Sequence, residues 1–270
     1  MNGVSRVRIW STMETIVNYK HLNTTDNKYT IRKFDNAPIL AESLAEEVLK
    51  ASLRAESENQ PFHISLSGGS TPKILFLTLV QPHYKDSIKW EYLHFWWGDE
   101  RMVPHSSDES NYGEAYKILF SKIEFSHDRL HPVNGENDID NEVITYGNEM
   151  KNIIPVVDSF PVYDWVILGM GDDGHTASLF PGGADLESSE PTIAATHPVS
   201  EQVRVSLTLK TINAAKRVTF LVTGFNKQER LLEIFTDREN HIHYPAARVE
   251  NKNLEWWMDD KAAMKLPSNK

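Results

Sequence analysis

Four short strand-like runs, each opening into a loop that carries glycine, charge or both, constrain the fold of this chain more than any other feature. They are Phe62–Leu66, Tyr92–Trp97, Tyr163–Leu168 and Val218–Val222. The loops that follow are Ser67–Thr71, Gly98–Pro104, Gly169–His175 and Gly224–Lys227. Helical patterns alternate with the runs. Ile39, Leu40, Leu44, Val48 and Leu53 fall near helical spacing with Glu42, Glu46, Glu47 and Lys50 opposite. Pro72 suits the first turn of a helix continued by Ile74, Leu75, Leu77 and Leu79. Further helices are expected from about Ser110 to Phe120, after Gly224 to about Phe235, and from Lys261 to Leu266. Additional strands are expected at Tyr29–Ile31, Val203–Leu209 and Leu254–Met258. Gly182–Pro198 reads as a loop. Strand–helix alternation of this kind implies an α/β fold whose mainly parallel sheet is covered on both faces. We expect one domain over residues 29–270, preceded by an extension over residues 1–28 that lacks clean periodicity.

Composition narrows the function. The chain of 270 residues has 40% hydrophobic and 24% charged residues, which excludes disordered and fibrous classes. It contains no cysteine, hence no thiol nucleophile, disulfide or thiolate metal site. The net charge of −10 repels phosphate backbones, so a nucleic-acid partner is not expected. No apolar run reaches the roughly 18–20 residues of a membrane helix, and no continuous apolar segment opens the chain as in a signal peptide. A cytoplasmic protein acting on a small molecule, as a monomer or small homo-oligomer, fits these limits.

In open α/β sheets, ligands bind beyond the carboxyl ends of the strands, where the four loops belong. Ser67, Gly68, Gly69, Ser70 and Thr71 offer backbone approach, hydroxyls and helix N-terminal amides to an anion. Taken alone, the segment is equally a turn with an N-cap Ser, and it lacks the Gly-Lys-Ser/Thr ending of a P-loop. Asp99, Glu100 and Arg101 follow an aromatic strand, where charges are costly unless they pair or meet a ligand. Gly169-Met-Gly-Asp-Asp-Gly174 matches G-x-G-x-x-G, yet two aspartates stand where a pyrophosphate would lie, so nicotinamide binding is rejected. His175, two residues after Asp173 and at an expected helix start, suits general base work: the carboxylate orients the ring and the helix N-terminus disfavours imidazolium. His21, His83, His241 and His243 read as structural or solvated. No G-x-S-x-G elbow or H-E-x-x-H motif is present. Arg204 and Lys227 join Arg101 as cations able to balance a dianionic phosphomonoester.

These motifs resemble the glucosamine-6-phosphate isomerase/6-phosphogluconolactonase family. The resemblance rests on Ser67-Gly-Gly-Ser-Thr-Pro72, Trp97-Gly-Asp-Glu-Arg-Met-Val-Pro104 with Ser110-Asn-Tyr112, and Leu168-Gly-Met-Gly-Asp-Asp-Gly-His-Thr-Ala-Ser-Leu-Phe-Pro-Gly182. Arg204, Val222-Thr-Gly224 with Lys227, Tyr244-Pro-Ala246 and Trp257 extend it over roughly residues 30–266. It implies a Rossmann-like three-layer sandwich similar to glucosamine-6-phosphate deaminase. It also implies hydrolysis of 6-phospho-D-glucono-1,5-lactone to 6-phosphogluconate without metal or cofactor. On this reading His175 activates water, Asp173 orients His175 or the water, and glycine-loop amides organised by Asp99 hold the oxyanion, though Asp99 and Asp173 could exchange roles. Ser67–Thr71, Arg101, Arg204 and Lys227 contact phosphate and sugar. The rival deaminase continues His-Ile-Ala-Phe-Asn-Glu-Pro-Gly and carries Asp-Glu-Tyr. Here Phe180 replaces the relay Glu, and Arg101 replaces Tyr. A non-catalytic sugar-phosphate sensor is the second alternative.

Overall fold

The structure, a computed structural model, describes residues 29–237 and 241–267; the expected N-terminal extension and His21 lie outside the described residues. The elements in chain order are β1 (Tyr29–Phe34), α1 (Ala37–Glu58), β2 (Phe62–Leu66), α2 (Ser70–Leu79), α3 (Pro82–Lys85), β3 (Leu93–Trp97), β4 (Asp99–Arg101), α4 (Asn111–Ile118) and β5 (Leu130–His131). They continue as α5 (Ile139–Ile153), β6 (Val156–Val157), β7 (Phe160–Pro161), β8 (Trp165–Gly169), β9 (Thr192–Thr196), β10 (Val203–Leu207), α6 (Leu209–Ala214), β11 (Val218–Val222), α7 (Gln228–Thr236) and β12 (Leu254–Asp259).

Among the described residues, the main sheet runs β1-β12-β11-β8-β2-β3-β5 with every neighbour parallel. A parallel sheet must be covered on both faces, and the aromatic strands do this by simple alternation. Phe95 and Trp97 of β3, Trp165 and Ile167 of β8 and Trp257 of β12 pack into one core with α1, α2 and α4. Trp96, Val166, Leu168, Trp256 and Met258 point into the other, which is closed by α5 and α6. The Trp side chains at 96, 97, 165, 256 and 257 are all fully buried. A Rossmann-like three-layer α/β arrangement results.

The four glycine-bearing loops leave β3, β2, β8 and β11, which are consecutive across the sheet. Strand order reverses between β2 and β8, creating the crevice expected at a topological switch point. A small antiparallel sheet, β4-β10-β9, stands over this edge. It puts Arg204 directly across from Arg101, and Ser206 across from Asp99.

Several expectations need correction. β1 extends through Phe34, beyond the expected Ile31. Ile39 and Leu53 lie on the wet side of α1, 38% and 43% exposed, off the stripe of Leu40, Leu44, Val48, Ser52 and Ala55 that faces the core. The segment Gly182–Pro198 is not only loop: it contains β9, which pairs with β10. The run Val203–Leu209 stops at Leu207, because Thr208 turns the chain and caps α6 through its side chain. Lys261–Leu266 forms turns rather than a helix, yet Ala262, Ala263 and Leu266 are buried there. Helix α5 was not anticipated; Tyr146 and Met150 are buried, and Asp138 caps it by accepting from the Asn141 amide.

Beneath the β2–β3–β5 side the rings of His63 and His94 lie 4.9 Å apart. His63 is 2% exposed, its Nδ1 accepts from the Trp96 indole, and burial holds its pKa at about 3. Burial, followed by the neighbouring His131, lowers His94 to about 4. Both values lie below the ordinary 6.5, so below that pH the unfolded chain binds more protons than the folded one. Stability should therefore be complete above about pH 6.5 and fall on acidification, each ring contributing up to about 1.4 kcal/mol per pH unit. Denaturant midpoints measured from about pH 7 to about pH 4 should trace this decline, and His63→Gln should flatten it.

Candidate active site

The crevice at the carboxyl edge is a cleft of about 270 Å³. Of the residues expected to form a site, Ser67, Gly68, Gly69, Asp99, Arg101, His175, Arg204 and Lys227 line it. Ser70, Thr71 and Asp173 do not. Ser70 is exposed at the start of α2, Thr71 bonds the Thr223 hydroxyl at 2.8 Å, and Asp173 stands behind His175.

The glycine loop is shaped by close approach. Gly69 caps α2 with φ near +100°, a conformation that side chains resist. At Gly68 a Cβ atom would collide with the side-chain amide of Asn111. Ser67 does not cap the helix; its hydroxyl donates to the Ile167 carbonyl at 2.8 Å, tying the end of β2 to β8.

The Asp99-Glu100-Arg101 charges are each used differently. Glu100 is fully buried and its carboxylate accepts from the backbone amides of Arg101, Asn111 and Tyr112 at 2.7–2.8 Å. It therefore anchors the start of α4, although burial pushes its pKa upward against those donors. Asn111, which the sequence reading passed over as a site residue, then donates to the Asp99 carbonyl at 2.9 Å and lines the cleft. Asp99 itself is buried and accepts from the Ser178 hydroxyl at 2.7 Å. Arg101 donates to the Glu109 carbonyl at 2.5 Å.

Arg101 and Arg204 face each other across β4 and β10, an arrangement of like charges that is unfavourable without an anion nearby. Both line the cleft, and both keep a buried Nε with no hydrogen-bond partner. Unpaired buried donors are costly, and the facing like charges add to that cost. Lys227 adds a third cation from the other side of the cleft. Its ammonium pairs with Asp172, which also accepts from the Asn226 side chain at 2.8 Å. Among the described residues, no group of three or more His, Asp or Glu is arranged to hold a metal ion.

His175 is not at the start of a helix. The chain from Thr176 to Leu179 makes a tight turn, with Ala177 in the left-handed region at φ 48°. The expected helix-dipole effect on the ring is therefore absent, and Asp173 sets its state instead. Asp173 Oδ1 accepts from His175 Nδ1 at 2.7 Å and from the His175 amide at 3.1 Å. In the neutral ring this puts the proton on Nδ1 and the lone pair on Nε2. Burial works to raise the Asp173 pKa, but the bonds from His175 outweigh it and hold the carboxyl at about 2. A carbon-detected NMR titration should find Asp173 ionised down to about pH 2. In His175→Ala its midpoint should return toward the ordinary 3.8.

Comparison with known proteins places this geometry. Residues 35–257 match the family model described as glucosamine-6-phosphate isomerases/6-phosphogluconolactonase. The chain is 49% identical over 210 residues to the 6-phosphogluconolactonase of Haemophilus influenzae, covering 77% of this chain and 88% of that protein. It is 46% identical over 236 residues to that of Aggregatibacter actinomycetemcomitans, covering 86% and 98%. The solved 6-phosphogluconolactonase of Trypanosoma brucei superposes with a TM-score of 0.78 at 27% identity, over 90% of this chain and all of that one. A monomeric glucosamine-6-phosphate deaminase, at 17% identity and a TM-score of 0.75 over 87% and 99% of the two chains, shares the fold. With the match spanning every strand from β2 to β11 and all four glycine-bearing loops, the chain belongs to the glucosamine-6-phosphate isomerase/6-phosphogluconolactonase family.

Proposed function

We propose that this protein is an enzyme that hydrolyses 6-phospho-D-glucono-1,5-lactone to 6-phosphogluconate, with water as the nucleophile. The observation that carries the chemistry is the Asp173–His175 pair, which holds the imidazole by Nδ1 at a cleft furnished with three cations. His175 Nε2 takes a proton from water as its oxygen attacks the lactone carbonyl carbon. Charge then builds on the carbonyl oxygen, where the backbone amides of the glycine loops act as donors. The bond between the carbonyl carbon and the ring oxygen breaks, and the ring oxygen takes the proton back from His175. The product is the open-chain acid.

Asp173 is the residue we assign to orienting His175, because it bonds the ring, whereas the carboxylate of Asp99 meets Ser178, Arg204 and Asn111. Asp99 organises the cationic wall. Arg101, Arg204 and Lys227, with the amides and hydroxyls of Ser67–Thr71, receive the phosphate and sugar oxygens. No metal or cofactor enters this scheme. We place the reaction in the cytoplasm, where this anionic substrate would be made and used, with a monomer or small homo-oligomer as the working form and residues 29–270 as one catalytic domain. No helix among the described residues is long and apolar enough to cross a membrane.

The deaminase reading fails at position 180. Phe180, whose ring lies 5.0 Å from that of His175, has no acid to relay a proton. The deciding experiment measures lactone hydrolysis in the presence of chelator, corrected for spontaneous opening, beside ammonia release from glucosamine 6-phosphate. We expect hydrolysis without ammonia release, and a loss of about 10²–10⁴-fold in His175→Asn, the usual contribution of a general base. Hydrolysis no faster than the blank would overturn the proposal. Asp173→Asn should lower kcat/KM, since the ring loses the acceptor that holds its orientation and tautomer.

A further inference from the structure

The hydroxyl of Ser178 lies beside the Asp99–Arg204 ion pair and touches both partners. It donates to Asp99 Oδ2 at 2.7 Å and accepts from Arg204 Nη1 at 3.4 Å. Arg204 Nη1 is 3.7 Å from the same carboxylate oxygen, so the cation and the anion are close without forming the two parallel hydrogen bonds that arginine and carboxylate prefer. Ser178 is 1% exposed and fixed from a second side, its amide donating to the Ser206 hydroxyl at 3.0 Å. The backbone is held in place as well: Ala177, one residue earlier, keeps its left-handed conformation. Such strain persists where surrounding contacts impose it. Arg204, which lines the cleft, meanwhile gives Nη2 to Gln202 at 3.0 Å, and its Nε is buried and unpaired.

We propose that Ser178 is a positioning residue that keeps Arg204 from closing onto Asp99, and so holds the guanidinium available to the substrate's anionic oxygens. The hydroxyl takes up an acceptor position of Asp99 Oδ2 with a neutral donor and offers Arg204 Nη1 a neutral acceptor. Without it, Arg204 swings onto the carboxylate as a two-pronged ion pair, and its charge and donors are withdrawn from the cleft. Because Ser178 lies three residues after His175 on the same turn, this contact also sets the spacing between the base and the cationic wall. The inference rests on the reading of Arg204 as a ligand-binding cation.

The test is binding of the product, 6-phosphogluconate, measured by calorimetry on the full chain. Ser178→Ala should weaken binding on the order of 10-fold, the factor that goes with one lost hydrogen bond to a charged group. The unfolding midpoint should hold, whereas a purely structural serine would lower it. Ser178→Cys keeps the size but makes weak hydrogen bonds, and should show the same loss if the alanine variant does not fold. The decisive comparison repeats Ser178→Ala in an Arg204→Met background, where it should have no further effect on binding. Equal weakening in both backgrounds, or in neither, overturns the proposal. If Arg204→Met binds as tightly as wild type, the assignment of Arg204 falls and the proposal with it. If Arg204→Met binds weakly while the Ser178 variants bind normally, only the role of Ser178 falls.

Discussion

A parallel sheet leaves both of its faces apolar, and the need to cover them is the constraint on which the rest of this molecule depends. The tryptophans, phenylalanines and aliphatic residues of β2, β3, β8, β11 and β12 alternate into two cores, and helices must follow each strand to close them. Every crossover then returns the chain in the same direction. The consequence for function is geometric: all strands release their chains at one edge, and the four loops rich in glycine and charge come off adjacent strands. The cleft is thus a by-product of burial, and its chemistry is whatever those loops carry.

The electrostatics of the cleft run against those of the whole protein. The chain is acidic overall, with a net charge of −10, yet three cations line one small cavity. Like charges at Arg101 and Arg204 are forced together by the β4–β10 register rather than by mutual preference. Asp99, with Ser178, compensates part of that cost, and an incoming anion is suited to supply the remainder. The acid–base pair works on the opposite principle. Asp173 is strongly ionised because His175 donates to it twice, and the histidine is thereby held in one tautomer.

Much of this was legible residue by residue. β2 and β11 fall where their apolar runs end, and the glycine loops lie where sheet topology requires a ligand to bind. The Asp173–His175 partnership follows from two-residue spacing. The helix expected after His175 was misread, because Thr176-Ala-Ser-Leu-Phe180 has helical composition but is pinned as a turn by Ser178 and Ser206. Helix α5 was passed over since its polar face dominates, although Ile139, Val143, Tyr146 and Met150 keep helical spacing. β9 was hidden within a segment whose serines, glutamates and prolines suggested a loop. Asn111 was quoted only as part of a motif, and its role depends on a neighbour, Gly68, that is distant in sequence.

The sequence by itself determined the strand–helix order, the two-sided burial of the sheet, and the types of group present at its carboxyl edge. These are local properties, set by periodicity, side-chain size and the backbone freedom of glycine. Only the tertiary structure decided which groups meet. Arg204 faces Arg101 because antiparallel register is fixed by contacts about a hundred residues apart in sequence, and Glu100 is a helix anchor rather than a ligand because α4 begins beside it. Ser178 meets both Asp99 and Arg204 for the same reason: pairing between distant segments is a property of the packed chain, and no spacing within any one segment encodes it.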